Sequence, residues 1–396
     1  MANEKFEDYI YINKFYLIFI GLWPIQDNDA LWKIYFHKFH LFTFTLCFWM
    51  LLLLPAILDI YIVWGNSYAL IQNLFMTIHL LSLSLKFTHV AINQTVFKEL
   101  LQMMKHNFDN SLCHTASDEE KEVMLKYARF GRLVTKIFLF CIYYFEIMIF
   151  CMPLIFGADS DPVRKKRYPI RAWYYWDQNS DFFYVIAYLN QVIVGLGLGV
   201  SYNLGMDTFV FVAIWHSCAQ LRILQDQLRK VGCTEHTSQK LIEELIENHN
   251  YQIRNVKKLN QLFSTLCFYQ LGTSLIGNCL GAFLMIVTLD ETSVNWFDFI
   301  SYAAFVVASF IQILLFCWPG QELMDQALEI GMAAYQSFWT NLPVKSTKSI
   351  FMIILRTHHP MMISAGGFYD MTLQNFTAIV KVNMSFLSVL RAMITK

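Results

Sequence analysis

Side chains that could carry chemistry are few in this chain and poorly placed for catalysis. His358 and His359 are adjacent, so on a helix they point about 100° apart and cannot grip one metal ion as an i, i+4 pair could. They read as polar residues facing water. The nine cysteines (Cys47, Cys113, Cys141, Cys151, Cys218, Cys233, Cys267, Cys279 and Cys317) are odd in number, scattered and free of CxxC pairs, which argues against a disulfide framework or a zinc site. Gly195, Gly197 and Gly199 make a GxGxG string without a strand before it, so close helix packing explains them better than phosphate binding. Gly277 and Gly281 read the same way. No Walker phosphate loop, HExxH metal motif or GxSxG nucleophile elbow occurs. No catalytic residue, metal or cofactor is expected, and the chain does not read as an enzyme.

What remains is a handful of ionisable groups inside apolar stretches, where a charge is costly and therefore a functional candidate. Glu146 is the sharpest, beside Tyr143, Tyr144 and Phe145. It either borders a ligand cavity and orients a polar ligand group, or bonds a neighbouring helix or sits protonated. Lys86 and Asp59 lie nearer the ends of their stretches, where side chains can snorkel. Lys381 needs a polar or watery neighbour.

The elements that must position these groups are membrane helices. The chain has 396 residues, 56% of them apolar and only 15% charged, which suits a bilayer better than water. A net charge of +0 leaves no basic excess for nucleic acid. About 20 apolar residues cross the hydrocarbon layer, and stretches near 41–64, 68–91, 133–157, 181–206, 262–289, 297–318 and 371–393 meet that length. The expected fold is therefore all-α, a polytopic membrane protein with seven transmembrane helices. The start carries Glu4, Glu7 and Asp8 and lacks a signal-peptide pattern, so the first span is expected to insert uncleaved.

Lys and Arg set the orientation. Twenty of them fall in the N-terminus and the second, fourth and sixth connections, and five in the third (Arg164, Lys165, Lys166, Arg167 and Arg171). By the positive-inside rule the N-terminus is cytosolic and the C-terminus outside, an inverted topology relative to G-protein-coupled receptors. Sequons at Asn93, Asn375 and Asn383 then fall in a cytosolic loop and in the seventh span, where glycosylation is not expected. The cytosolic connections are long and helically patterned. Leu221, Leu224, Leu228 and Val231, then Leu241, Leu245, Ile253, Val256 and Leu259, predict a hairpin turning near Gly232. Ser117 with Glu120 predicts a capping box that starts a helix running into the third span. The chain divides into a cytosolic segment 1–40, six helices with cytosolic extensions over 41–318, a cytosolic anchor 319–370, and a seventh helix 371–396.

The closing third carries a resemblance. It reads FIQILLFCWPGQEL, then AAYQSFWTNLP, then ILRTHHPMMISAGGFYDMTLQNFTAIVKVNMSFLSVLRAM. The ordered set Cys317-Trp318, Gly320, Tyr335, Trp339, Pro343, Arg356, Pro360, Gly366, Phe376, Lys381, Ser385 and Leu390-Arg391 resembles the C-terminal region of insect odorant receptors. Gly21-Leu22-Trp23-Pro24 resembles that family's entry segment. Met384 departs, standing where many members have an aromatic residue. The gustatory-receptor pattern of Thr-Tyr followed by Gln-Phe in the last helix is absent, as are the long fourth-loop insertion and C-terminal signature of the shared co-receptor.

The resemblance implies an odour-specific tuning subunit of a heterotetrameric, ligand-gated, non-selective cation channel formed with the odorant receptor co-receptor (Orco). It also implies a multi-pass place in the cell membrane of olfactory sensory neuron dendrites. It puts an apolar gate on Val389 and Met393, on one helical face with Ser385. The family binds ligands in the outer halves of the second, third, fourth and sixth spans, which here contain Leu74, Phe75, Tyr144, Glu146, Met148, Tyr184, Tyr188, Tyr302 and Phe305. Such aromatic and Met side chains suit a small volatile or lipid-like odorant. The competing readings are a metabotropic seven-helix chemoreceptor, which the charge bias opposes, and a gustatory-receptor-like channel.

Overall fold

The computed structural model describes residues 5–25, 30–113, 116–156, 168–176, 180–233, 239–290 and 295–394, with backbone alone for 152–156, 290 and 390–394. Its helices are α1 (Phe6–Tyr9), α2 (Tyr11–Phe19), α3 (Leu31–Ile62), α4 (Ser67–Ile92), α5 (Gln94–Ser111), α6 (Asp118–Phe156), α7 (Asp181–Arg229), α8 (Gln239–Asp290), α9 (Trp296–Gln336), α10 (Val344–Thr357) and α11 (Leu373–Ile394). Among the described residues α3, α4, α6, α7, α8 and α9 are long and apolar enough to cross a membrane. The 22 residues of α11 span about 33 Å, so length admits it as a seventh.

Several helices far exceed a bilayer. α6, α8 and α9 hold 39, 52 and 41 residues, so at about 1.5 Å per residue each projects well beyond the ~30 Å hydrocarbon layer. The capping box at the head of α6 is formed: the Glu120 backbone N–H donates to Ser117 Oγ (3.2 Å) and the Ser117 N–H donates to Glu120 Oε2 (3.1 Å). The α7–α8 hairpin buries Leu221, Leu224, Leu228 and Val231 on one side and Leu245, Val256 and Leu259 on the other. Leu241 departs from the expected stripe and is exposed, its place taken by Ile242. At the turn Gly232 has φ +78°, and a Cβ there would sit 2.4 Å from the Phe338 carbonyl oxygen, so glycine is required twice over.

The amphipathic α2 lies against α7, where Asn13 Nδ2 donates to Thr208 Oγ1 (2.7 Å) and Leu17 is fully buried. Outward-facing residues of α3 such as Trp32, Tyr35, Phe36 and Phe39 stay exposed, as a lipid-facing surface requires. Among the described residues one element interrupts the all-helical pattern: a short antiparallel hairpin, β1 (Ser364–Ala365) with β2 (Tyr369–Asp370), paired Ser364↔Asp370 and Ala365↔Tyr369. It is stitched to α8, the Ser364 N–H donating to Asn260 Oδ1 (2.9 Å) and the Gly366 N–H to the Ser264 carbonyl (3.0 Å).

α7 is not a regular helix. Two π-helical turns, Gly195–Gly199 and Asn203–Asp207, interrupt it, and such bulges re-aim side chains that a straight helix would place elsewhere. The first lies on the glycine string, where a Cβ at Gly195 would meet the Phe150 ring at 2.4 Å. The second turns Asn203 and Asp207 into the bundle.

A candidate ligand cavity

Between α4, α6, α7 and α9 lies a cavity of about 160 Å³. α6 supplies the largest apolar share of its wall through Phe138, Ile142, Phe145, Ile149 and Phe150, and α4 adds Met76, His79 and Leu83. Phe305 and Ser309 close it from α9, and Gly195 and Gly199 from α7. The glycines matter here because the first leaves room for the Phe150 ring.

One end of the cavity is polar. Lys86 Nζ donates to Asp207 Oδ2 (2.8 Å), Asp207 Oδ1 (3.1 Å) and Gln270 Oε1 (2.9 Å). Gln312 Nε2 donates to the same Asp207 Oδ2 (2.6 Å) and to Asn203 Oδ1 (3.1 Å), and Gln270 Nε2 donates to Gln312 Oε1 (2.9 Å). The Lys86 ammonium also lies 5.2 Å from the centre of the Tyr202 ring. Four helices, α4, α7, α8 and α9, thus meet in one network whose charges cancel. This corrects the expectation that Lys86 snorkels: its side chain is 1% exposed. Asp59 does not snorkel either; it is buried, accepts from Asn73 Nδ2 (2.9 Å) and faces Arg171 Nε at 3.6 Å.

The expected ligand residues fall into five places. Glu146 and Phe305 line the cavity. Phe75 and Tyr302 stand behind it: the Phe75 ring is 4.7 Å from Phe305 and 5.8 Å from Tyr302, whose hydroxyl accepts from Gln72 Nε2 (2.7 Å). Leu74 and Met148 are half-buried off the lining. Tyr184 and Tyr188 belong to a separate cluster with Tyr168 and Tyr174, from which the Tyr188 hydroxyl donates to the Phe150 carbonyl. Tyr144 is 60% exposed on the opposite face of α6.

On α11, Ser385 and Val389 are exposed along one face, as is Lys381. The side chain of Met393 and the whole of Arg164–Arg167 lie outside the described residues. Among the described residues no group of three or more His, Cys, Asp or Glu is placed to hold a metal ion. Asp207, Gln270 and Gln312 escaped the sequence reading. Asp207 sits one residue past the expected end of its span, and the two glutamines are neutral residues within apolar runs. The available signal was Lys86 itself, since an ammonium that deep demands a carboxylate.

A bundle of membrane-length helices around a mostly apolar cavity with a few convergent polar groups has the form of a small-molecule binding site within a multi-pass membrane protein. Residues 66–384 match the 7tm odorant receptor family, and the chain belongs to it. It is 29% identical over 213 residues to odorant receptor 10 of Aedes albopictus, covering 52% of this chain and 55% of that one. It is 24% identical over 344 residues to odorant receptor Or2 of Anopheles gambiae, covering 84% and 87%. Its fold is similar to that of the insect olfactory receptor OR5 from Machilis hrabei in complex with eugenol, with TM-score 0.82, 16% identity, and 98% and 100% of the two chains covered. A second structure of the insect olfactory receptor OR5 from Machilis hrabei is similar with TM-score 0.78 and 16% identity.

Proposed function

We propose that this chain is the odorant-binding subunit of a heteromeric, ligand-gated, non-selective cation channel, assembled with the odorant receptor co-receptor in the dendritic membrane of olfactory neurons. The observation that carries the reading is the cavity and what its polar end is tied to. A ligand pressing on Phe305 or Ser309 acts on α9, and the Lys86–Asp207–Gln270–Gln312 network joins α9 to α8. Both helices contact α11: the Leu373 N–H donates to Gln321 Oε1 (3.3 Å), and Cys279 Sγ lies 4.0 Å from Asn383 Oδ1. Displacement of α8 and α9 is thereby passed to the helix that carries Ser385, Val389 and Met393, which line the pore in this reading. A ligand opens the channel to the extent that it binds the open arrangement more tightly.

The charge bias places the N-terminus in the cytosol, with residues 319–370 and the projecting ends of α6 to α9 as a cytosolic anchor. Co-expression with the co-receptor and exposure to a broad odorant panel tests the whole: cation current is expected. Robust surface delivery of the complex without any ligand response counts against it. An N-terminal glycosylation tag should remain unmodified; acceptance of glycan there would reverse the topology and favour a metabotropic receptor.

A further inference from the structure

Glu146 occupies the cavity face of α6. Phe138, Ile142, Phe145 and Ile149 flank it in the lining, whereas Phe140, Tyr144 and Ile147 are exposed on the other side of the helix. Among the described residues no side chain or backbone group donates a hydrogen bond to its carboxyl and no cation faces it. The other charges nearby are already matched. Lys86 is held by both oxygens of Asp207, and Arg171 faces Asp59. Among the described residues the cavity lining therefore holds a carboxyl group, that of Glu146, which no cation matches, and a carboxylate set among apolar side chains without a partner is unfavourable.

We infer that the cavity takes a small organic amine, with Glu146 as its counter-carboxylate. An ammonium group supplies both the missing positive charge and N–H donors, and the rings of Phe145 and Phe305, 5.5 Å apart, offer π faces to the same cation. A carboxylic acid fits poorly, because Glu146 repels it and Lys86 is occupied. A cavity of about 150 Å³ accommodates a benzene-sized body, so the amine is a single ring or short alkyl chain bearing one basic nitrogen. The inference rests on the reading of this cavity as the odorant site.

The test compares benzylamine, benzyl alcohol and benzoate on the full receptor complex, by thermal unfolding of the purified complex and by channel current. Benzylamine should stabilise the complex and act at lower concentration than the alcohol, and benzoate should do neither. Glu146→Gln should reduce the amine-to-alcohol potency ratio about 10- to 100-fold, the span of one lost charge-assisted hydrogen bond, and Glu146→Asp should restore most of it. Equal potency of amine and alcohol in the unaltered complex, or a ratio unchanged within about twofold by Glu146→Gln, overturns the inference. Should Glu146→Gln fail to assemble, the amine preference of the unaltered complex decides alone. Ser309→Phe, which fills the cavity, separates the two readings. If it removes both ligands' effects while Glu146→Gln leaves the ratio intact, only the amine is wrong. If both ligands still act at full potency, the cavity reading falls and the amine with it.

Discussion

Lys86 and Asp207 meet through Nζ and Oδ2 at 2.8 Å with 1% and 0% of their side chains exposed, the most deeply sealed ion pair among those described. Removing one partner leaves the other charged and alone in low dielectric, a change that costs about 3–5 kcal/mol. Lys86→Met and Asp207→Leu are each expected to lower the unfolding temperature and surface delivery of the complex sharply. The double variant should recover much of the loss, because it removes both charges together. A thermal-unfolding double-mutant cycle on purified complex measures this, and strictly additive losses would show that the pair is not coupled.

Gly320 is where α9 touches the start of α11: a Cβ there would sit 2.1 Å from the Met371 carbonyl oxygen. That neighbour is backbone, so it cannot rotate away, and Gly320→Ala must displace the Thr372–Leu373 entry to α11. Protein stability should fall by about 1–3 kcal/mol, the usual range for overpacking. Ligand-evoked current per delivered receptor should change as well. Unaltered current at equal surface density would remove this contact from the coupling path.

Much of the fold was legible because membrane helices announce themselves by apolar length, and caps and turns by short local signals. Ser117 with Glu120 and the turn at Gly232 are of that kind, each decided within a few residues. The site was less legible. Helical spacing placed Tyr144 and Glu146 two residues apart on α6, but not which faced lipid; the lipid-facing stripe depends on how α6 rotates against α7. The π turns that bring Asn203 and Asp207 inward shift the register of α7, which a pattern with a 3.6-residue period cannot foresee. Tyr188 shows the same limit, an aromatic in the expected span that packs beside Tyr184 and reaches the cavity only through the Phe150 backbone.

His249 gives a pH dependence. It lies in the polar first half of α8, amid Glu243, Glu244, Glu247 and Arg254 and before the apolar stretch that begins at 262. Burial, helped by the Arg356 charge, pushes its imidazole down to about 4. The folded chain therefore stays unprotonated while the unfolded chain gains a proton near pH 6.5. Stability from this group is complete above about pH 6.5 and declines as pH falls toward 4. The unfolding temperature of the purified complex should drop between pH 7 and 5, and His249→Gln should flatten that drop. An identical slope in the variant would assign the effect to other groups.

Val389 and Tyr188 separate gating from binding. Val389 is 55% exposed on α11, on the face that lines the pore in the proposed assembly. Val389→Ala widens an apolar constriction, and because apolar rings block ions by excluding water, basal current or conductance should rise for every agonist alike. Tyr188→Phe removes one hydroxyl, whose bond to the Phe150 carbonyl steadies the cavity wall. The loss of one neutral hydrogen bond is worth about 1 kcal/mol, so agonist sensitivity should shift by roughly fivefold, by different amounts for different ligands, with basal current unchanged. Concentration–response curves from cells co-expressing the co-receptor distinguish these outcomes. A ligand-selective change from Val389→Ala would place that side chain near the ligand, and a uniform rise in basal current from Tyr188→Phe would make the Tyr188–Phe150 contact part of the gate.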